Sequence, residues 1–286
     1  MPYYLEKSFA SDHDFHPPEG MHIGMINDPE RLLGYVNYFS RWAKDKVFLD
    51  VGAGLGLIGI RALEHGAKFV YFVEQNKTSA ECLAKILAAL PFPNRYAILN
   101  ADFHSMTRNQ FSLEPNILVC ELWGPHLWNE GVIPTYQQAK SLFPKITMVP
   151  GDYRSEFSIV RIPPSEYRVW PREQIPGVQL IDFYKKLMAG KLLSGVGFQL
   201  EPLTDPQNSL MLNGGSVQTS WETTIERNYS EVFFLLRHKI GWPEESEPRF
   251  WRDTLSYVPE VRAGQQLRIS MNDIYVPRFE IFSERR

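Results

Sequence analysis

The chain has 286 residues, 44% of them hydrophobic, with 33 acidic and 30 basic side chains, a formal net charge of −3 and two cysteines. This is enough for one large or two modest domains with buried cores, and the absence of a dense Lys/Arg tract removes the electrostatic footprint of a nucleic-acid binder. Cys82 and Cys120 fit a reduced compartment rather than a disulfide framework, no secretory segment opens the chain, and no apolar run approaches the ~20 residues of a membrane span, so a cytoplasmic setting is expected.

In chain order, Asn27-Asp28-Pro29-Glu30-Arg31 predicts a helix start, with Asp28 as N-cap and Pro29 in the first helical position. Arg31 falls in the first turn, where it can clamp a ligand carboxylate. The aromatic-rich stretch LLGYVNYFSRW follows and would lie over a nucleotide pocket. Residues 46–60, KVFLDVGAGLGLIGI, read as strand, glycine turn and helix, an arrangement that lets a ligand meet both backbone and helix N-terminus. Gly52, Gly54 and Gly56 form GxGxG, while Gly54, Gly56 and Gly59 satisfy GxGxxG, so the glycines alone leave an NAD-dependent oxidoreductase open. Asp50 argues against it. A carboxylate is awkward beside a pyrophosphate and suits a cationic ligand carrying an amino group and a sulfonium, namely S-adenosylmethionine. The strand AKFVYFVEQN then brings Glu74 to the position of a ribose-binding acid. The strand RYAILNAD brings Asp102, which can accept from an adenine amino group.

Strands at 46–51, 68–74, 96–100 and 116–121 alternate with helices at 55–65, 77–89 and near 134–143. This rhythm implies a parallel sheet with helices on both faces. Past Pro150, alternating segments such as EFSIVRI, EVFFLLRH, QLRISM and RFEIF imply an antiparallel barrel or sandwich. The expected division is a helical lid segment over 1–45, a Rossmann-like domain over 46–150 and a β-barrel-like domain over 151–286. VQLIDFYKKLMAGKLL has helical spacing and reads either as a helix on the barrel or as an arm over about 178–195.

Glu121 and Glu130 bracket ELWGPHLWNE, nine positions apart with Gly124-Pro125 between to fold the segment back. A solvated surface pair is one reading. The other is that two close carboxylates stay ionised by holding a cation, and a guanidinium fits them bidentately. Trp123 and Trp128 flank the loop and can wall a channel, stack on that cation or simply pack against the core.

Together these residues resemble the protein arginine N-methyltransferase family, from about His22 to Pro150 and again from about Glu231. His22, Met25, Asp28 and Arg31 reproduce its H-x2-M-x2-D-x2-R spacing. FLDVGAGLG resembles its cofactor loop, VYFVEQ its ribose strand, and ILVCELWGPHLWNE its double-glutamate loop. The resemblance implies that Glu121 and Glu130 hold a substrate guanidinium and that Arg31 with His22 and Met25 meets the cofactor's polar tail. It further implies a helical arm that makes a homodimer. One departure stands out. The family's late Thr-His-Trp reads Arg249-Phe250-Trp251 here, so Trp251 at the substrate rim is kept and the histidine that pairs with the Asp28 position is not. Three expectations remain: methylation of arginine in a protein, methylation of free arginine or a small guanidino compound, and a non-catalytic scaffold on the same fold. No metal is assigned.

Overall fold

A computed structural model describes residues 29–123, 130–163, 192–194, 200–213, 216–243, 249–272 and 276–283. Helix α1 (Pro29–Trp42) opens this part and starts at the proline expected to begin it. The first half then runs β1 (Val47–Val51), α2 (Leu57–Glu64), β2 (Phe69–Val73), α3 (Lys77–Ala88), β3 (Tyr96–Leu99), two short 3-10 turns, β4 (Ile117–Cys120), α4 (Val132–Leu142) and β5 (Thr147–Val149). The five strands form one sheet in the order β3-β2-β1-β4-β5, and every pairing is parallel. All five residues of β1 and all four of β4 are buried, as strands covered on both faces must be. Helix α2 buries Ile58, Gly59, Ala62 and Leu63, and α3 is capped by the Asn76 side chain accepting from Ser79 N at 3.0 Å.

Strand order reverses at β1, with β2 on one side and β4 on the other, and such a switch point opens a crevice at the carboxyl ends of the strands. Val51 lies level with Val73 and with Cys120 in the register. Gly52, Glu74 and Glu121 therefore leave the sheet along one edge.

Pro150 and Gly151 join β5 to β6 (Asp152–Arg161), the first strand of the antiparallel half, and the Val149–Pro150 peptide is cis. The half continues through β7 (Leu192–Ser194), β8 (Glu201–Pro202), β9 (Gln207–Asn213), β10 (Ser216–Gln218), β11 (Ser220–Thr224), β12 (Tyr229–Gly241), β13 (Arg249–Val261), β14 (Gln265–Met271) and β15 (Pro277–Ser283). One sheet is ordered β10-β9-β6-β12-β13-β7 with β8 added beside β6, and a second is β11-β14-β15. On β12, Phe234 and Leu236 join the main core, while Phe233 and Leu235 pack on the opposite face with Val160, Ile162, Leu255 and Tyr257. The predicted arm over 178–195 lies outside the described residues except at its end, which needs correcting. Leu192–Ser194 is a strand, paired antiparallel with Thr254–Ser256, because β13 offers an open edge there.

The halves share one core. Tyr35 of α1 meets Trp242, just past β12, edge-on at 5.6 Å, and Phe39 packs edge-on against Phe48 of β1 at 5.3 Å. Gly34 makes the close approach possible, since a Cβ there would sit 2.4 Å from Trp242 Cε2. Gly34→Val is therefore expected to destabilise the fold by about 1–3 kcal/mol, read as a Tm lowered by several degrees in a thermal melt.

Candidate active site

The glycine turn after β1 is built for close approach. Gly52, Gly54 and Gly56 have φ of 70°, 54° and 78°, a region that costs L side chains strain, and a Cβ on Gly52 would also meet Leu122 Cδ2 at 2.5 Å. The amides of Gly52 and Ala53 donate to Val73 O at 3.0 and 3.1 Å, which ties the turn to β2. Gly59, on α2, is needed for contact instead: a Cβ there would lie 2.3 Å from Phe72 Cε1 and 2.7 Å from Asp50 Oδ2. Both glycine patterns read from the sequence are thus satisfied, and the neighbouring acids carry the discrimination.

Asp50 is buried, and its Oδ2 accepts from Gly59 N at 2.9 Å, so this carboxylate holds the first turn of α2. Burial pushes its pKa from 3.8 up to about 7. The Gly59 N–H opposes that rise, and the charges of Glu121 and Glu74 add to it. Such a group gains most from a cation beside it. Glu74 is 8% exposed; its Oε2 accepts from Gly54 N at 2.8 Å and its Oε1 from Asn76 N at 2.7 Å. Each oxygen keeps a second lone pair, so the carboxylate remains able to accept from a diol while fixing the turn. Asp102 is exposed past β3, and its Oδ1 accepts from His104 N at 3.0 Å, capping a short 3-10 turn.

Cys120, the last residue of β4, reports how the acids gather. Burial raises its thiol pKa, the Leu122 N–H opposes this, and the charges of Asp50, Glu121 and Glu130 all push it higher. Both ends of the ELWGPHLWNE segment therefore act on one sulfur, next to Asp50. Glu121 is half-buried and Glu130 exposed. A cavity of ≈ 300 Å³ opens between Asp50, Gly52, Ala53, Leu55, Ile58 and Glu121, at the lower end of the range for small-molecule sites. Hollows of ≈ 450 and ≈ 440 Å³ lie elsewhere, one in the barrel beside Phe157 and Thr224, the other at the junction beside Tyr136 and Trp242. Neither includes the glycine turn or the acids.

The donor set fits an adenosine-bearing cation: a glycine turn with room only for backbone, a buried carboxylate needing positive charge, and a second acid level with the turn.

Of the readings open for Trp123, packing is the one seen: it is 5% exposed, and its ring lies against Tyr153 of β6 with centroids 4.0 Å apart and planes 41° apart. Tyr153 is fully buried, and its hydroxyl donates to Pro150 O. Burial holds its phenol well above the usual pKa, and Tyr35, Cys120, Glu121 and Asp152 push the same way. Nothing in the sequence marked Tyr153 beyond its place just past the domain junction. Arg31 lies in the first turn of α1, while His22, Met25, Asp28 and Trp128 fall outside the described residues. On β13, Lys239 pairs with Phe250 and His238 with Arg252, so Trp251 is the extra residue of a β-bulge.

Residues 35–120 match a family model described as "Conserved hypothetical protein 95". Protein arginine N-methyltransferase 7 of Rattus norvegicus is 30% identical over 146 residues, which cover 48% of this chain and 21% of that protein. The chain thus spans about a fifth of the length of that relative. The crystal structure of PRMT6 superposes with a TM-score of 0.73 at 16% identity, covering 92% of this chain and 100% of that one. The chain carries the protein arginine N-methyltransferase fold. A crystal structure of PRMT6-SAH superposes with a TM-score of 0.71, also at 16% identity, over 92% of this chain and 99% of that one. The parallel sheet and the antiparallel sheets of this chain match the two parts of that fold. Gly52, Glu74 and Glu121 lie at the carboxyl edge of the parallel sheet.

Proposed function

We propose that the chain is an S-adenosylmethionine-dependent N-methyltransferase whose acceptor is a guanidino nitrogen of arginine. The placement of Asp50 and Glu121 on one cavity with Gly52 of the glycine turn is the observation that carries this reading. Two carboxylates facing one cavity suit cationic ligands, and a sulfonium and a guanidinium are two cations that a single reaction brings together. The name of the relative, which specifies protein arginine, favours an arginine within a protein as the acceptor.

S-Adenosylmethionine, when bound, supplies a methyl group on a positively charged sulfur. In this reading Asp50 and the glycines hold its amino-acid end, Glu74 its ribose and Asp102 its adenine amino group, with Arg31, His22 and Met25 at its polar tail. Glu121 and Glu130 grip the guanidinium through charge-assisted hydrogen bonds and localise positive charge on the nitrogens they touch. The remaining nitrogen keeps more of its lone pair and is aimed at the methyl donor. Holding the guanidinium in one orientation and away from water is what these residues would contribute to the rate. Either glutamate can take the proton lost from nitrogen afterwards. Trp128 and Trp251 are assigned to the substrate rim, the enzyme is read as a homodimer joined by its arm, and its setting as the cytoplasm.

Incubation with methyl-labelled cofactor and either an arginine-glycine-rich peptide or free arginine tests this. Label is expected in the peptide. Label in free arginine alone would move the acceptor to small guanidino compounds, and label in neither, with S-adenosylhomocysteine still bound, would leave a scaffold.

A further inference from the structure

We propose that Tyr153, on the barrel, is a positioning residue for the carboxylate of Glu121, acting through the indole of Trp123. This rests on the arginine-methylation reading for its kinetic consequence, though not for its structural one. The three residues after β4 have three different supports. Glu121 lines the cavity; Leu122 packs on Gly52 of the glycine turn, where a Cβ would meet it at 2.5 Å; Trp123 lies on Tyr153 with ring centroids 4.0 Å apart. The strip is therefore pinned at Leu122 by the cofactor half and at Trp123 by the barrel, and Glu121 projects from the pinned end.

Trp123 Nε1 is buried and has no hydrogen-bond partner among the described residues, so no directional bond fixes the indole. Its orientation comes from packing, and Tyr153 is the ring tilted against it. Tyr153 itself cannot turn. It is fully buried, its backbone is paired on both sides, with Ile240 of β12 and Leu212 of β9, and its hydroxyl is tied to Pro150 O. The barrel thus sets the entry to the double-glutamate segment through one aromatic contact. Reacting groups tolerate little displacement, since a shift of about 1 Å can cost roughly a hundredfold in rate.

The test compares Tyr153→Phe, which keeps the ring, with Tyr153→Leu, which removes it. Three quantities are read: amide hydrogen exchange over residues 121–123, S-adenosylhomocysteine affinity by calorimetry, and kcat and KM for methylation of an arginine-glycine-rich peptide. Tyr153→Leu is expected to speed exchange about tenfold and lower kcat roughly 30- to 100-fold, with S-adenosylhomocysteine affinity within about threefold of wild type. Tyr153→Phe is expected to restore all of these to within about threefold. Unchanged exchange in Tyr153→Leu would overturn the proposal, as would a loss of S-adenosylhomocysteine affinity equal to the loss of kcat. Should Tyr153→Leu not fold, Trp123→Leu reads the same contact from the other side, by the same criteria. A wild-type protein that methylates no arginine substrate overturns the function proposed above, while the exchange comparison still decides the role of Tyr153.

Discussion

Glu130→Gln is expected to lower methyl transfer by about a hundred- to a thousand-fold while leaving S-adenosylhomocysteine affinity within a few-fold of wild type. The substitution keeps the shape and removes the charge. An amide presents a donor where a guanidinium also presents donors, so one bond is lost and a repulsion replaces it. Glu130 is the exposed member of the group around Cys120 and lies outside the lining of the cavity bounded by the glycine turn, so cofactor contacts should survive. Single-turnover kinetics beside calorimetry separate the two effects. A variant that turned over at the wild-type rate would remove Glu130 from the guanidinium grip, and one that lost S-adenosylhomocysteine in parallel would reassign it to the cofactor.

The second large effect concerns Asp50 and has opposite signs for stability and for binding. Its carboxyl is raised from 3.8 to about 7 in the fold, chiefly by burial. Between those values the native protein holds a proton that the unfolded chain has already released, so stability falls as pH rises from about 4 to about 7 and is flat above. The ionised form is disfavoured by roughly 4 kcal/mol. Asp50→Asn lacks that penalty, and its carbonyl oxygen can still accept from Gly59 N. The ligand-free variant is expected to match wild type near pH 4 and to exceed it by that amount at pH 8, in denaturant melts at both values. Its affinity for S-adenosylmethionine at pH 8 should fall about 10- to 100-fold, and the gap should narrow toward pH 5, where wild-type Asp50 is itself neutral. A variant less stable than wild type at pH 8 would show that Asp50 is not held against its preference.

The three-residue β5, TMV, escaped the reading, but the alternation of the four preceding strands with helices was legible because those strands are mostly apolar and the helices amphipathic. Strands β10 and β11 were not, since SVQ and SWETT are short, half-exposed and polar. Among the acids, Asp50 and Glu74 stood out because a carboxylate at the end of a buried strand has no packing task. Trp123 stayed open between channel wall and packing for a geometric reason. Two residues beyond Glu121, it would share that residue's face in a strand, but the strand ends at Cys120 and the alternation ends with it. Tyr153 was illegible because its significance lies in a contact thirty positions back along the chain, and no local pattern encodes that. The acids could be read as chemistry, whereas what aims them could be read only as packing.

The two-residue passage from β5 to β6 bears on how such a protein can be cut or recombined. Tyr35, Phe39, Trp123, Tyr153 and Trp242 belong to a single buried cluster drawn from both sides of that passage. Excising the nucleotide half at Val149 would leave raw aromatic surface where the barrel had been, and the isolated barrel would suffer the same exposure. The two halves are therefore one cooperative unit, and the barrel is no detachable adaptor.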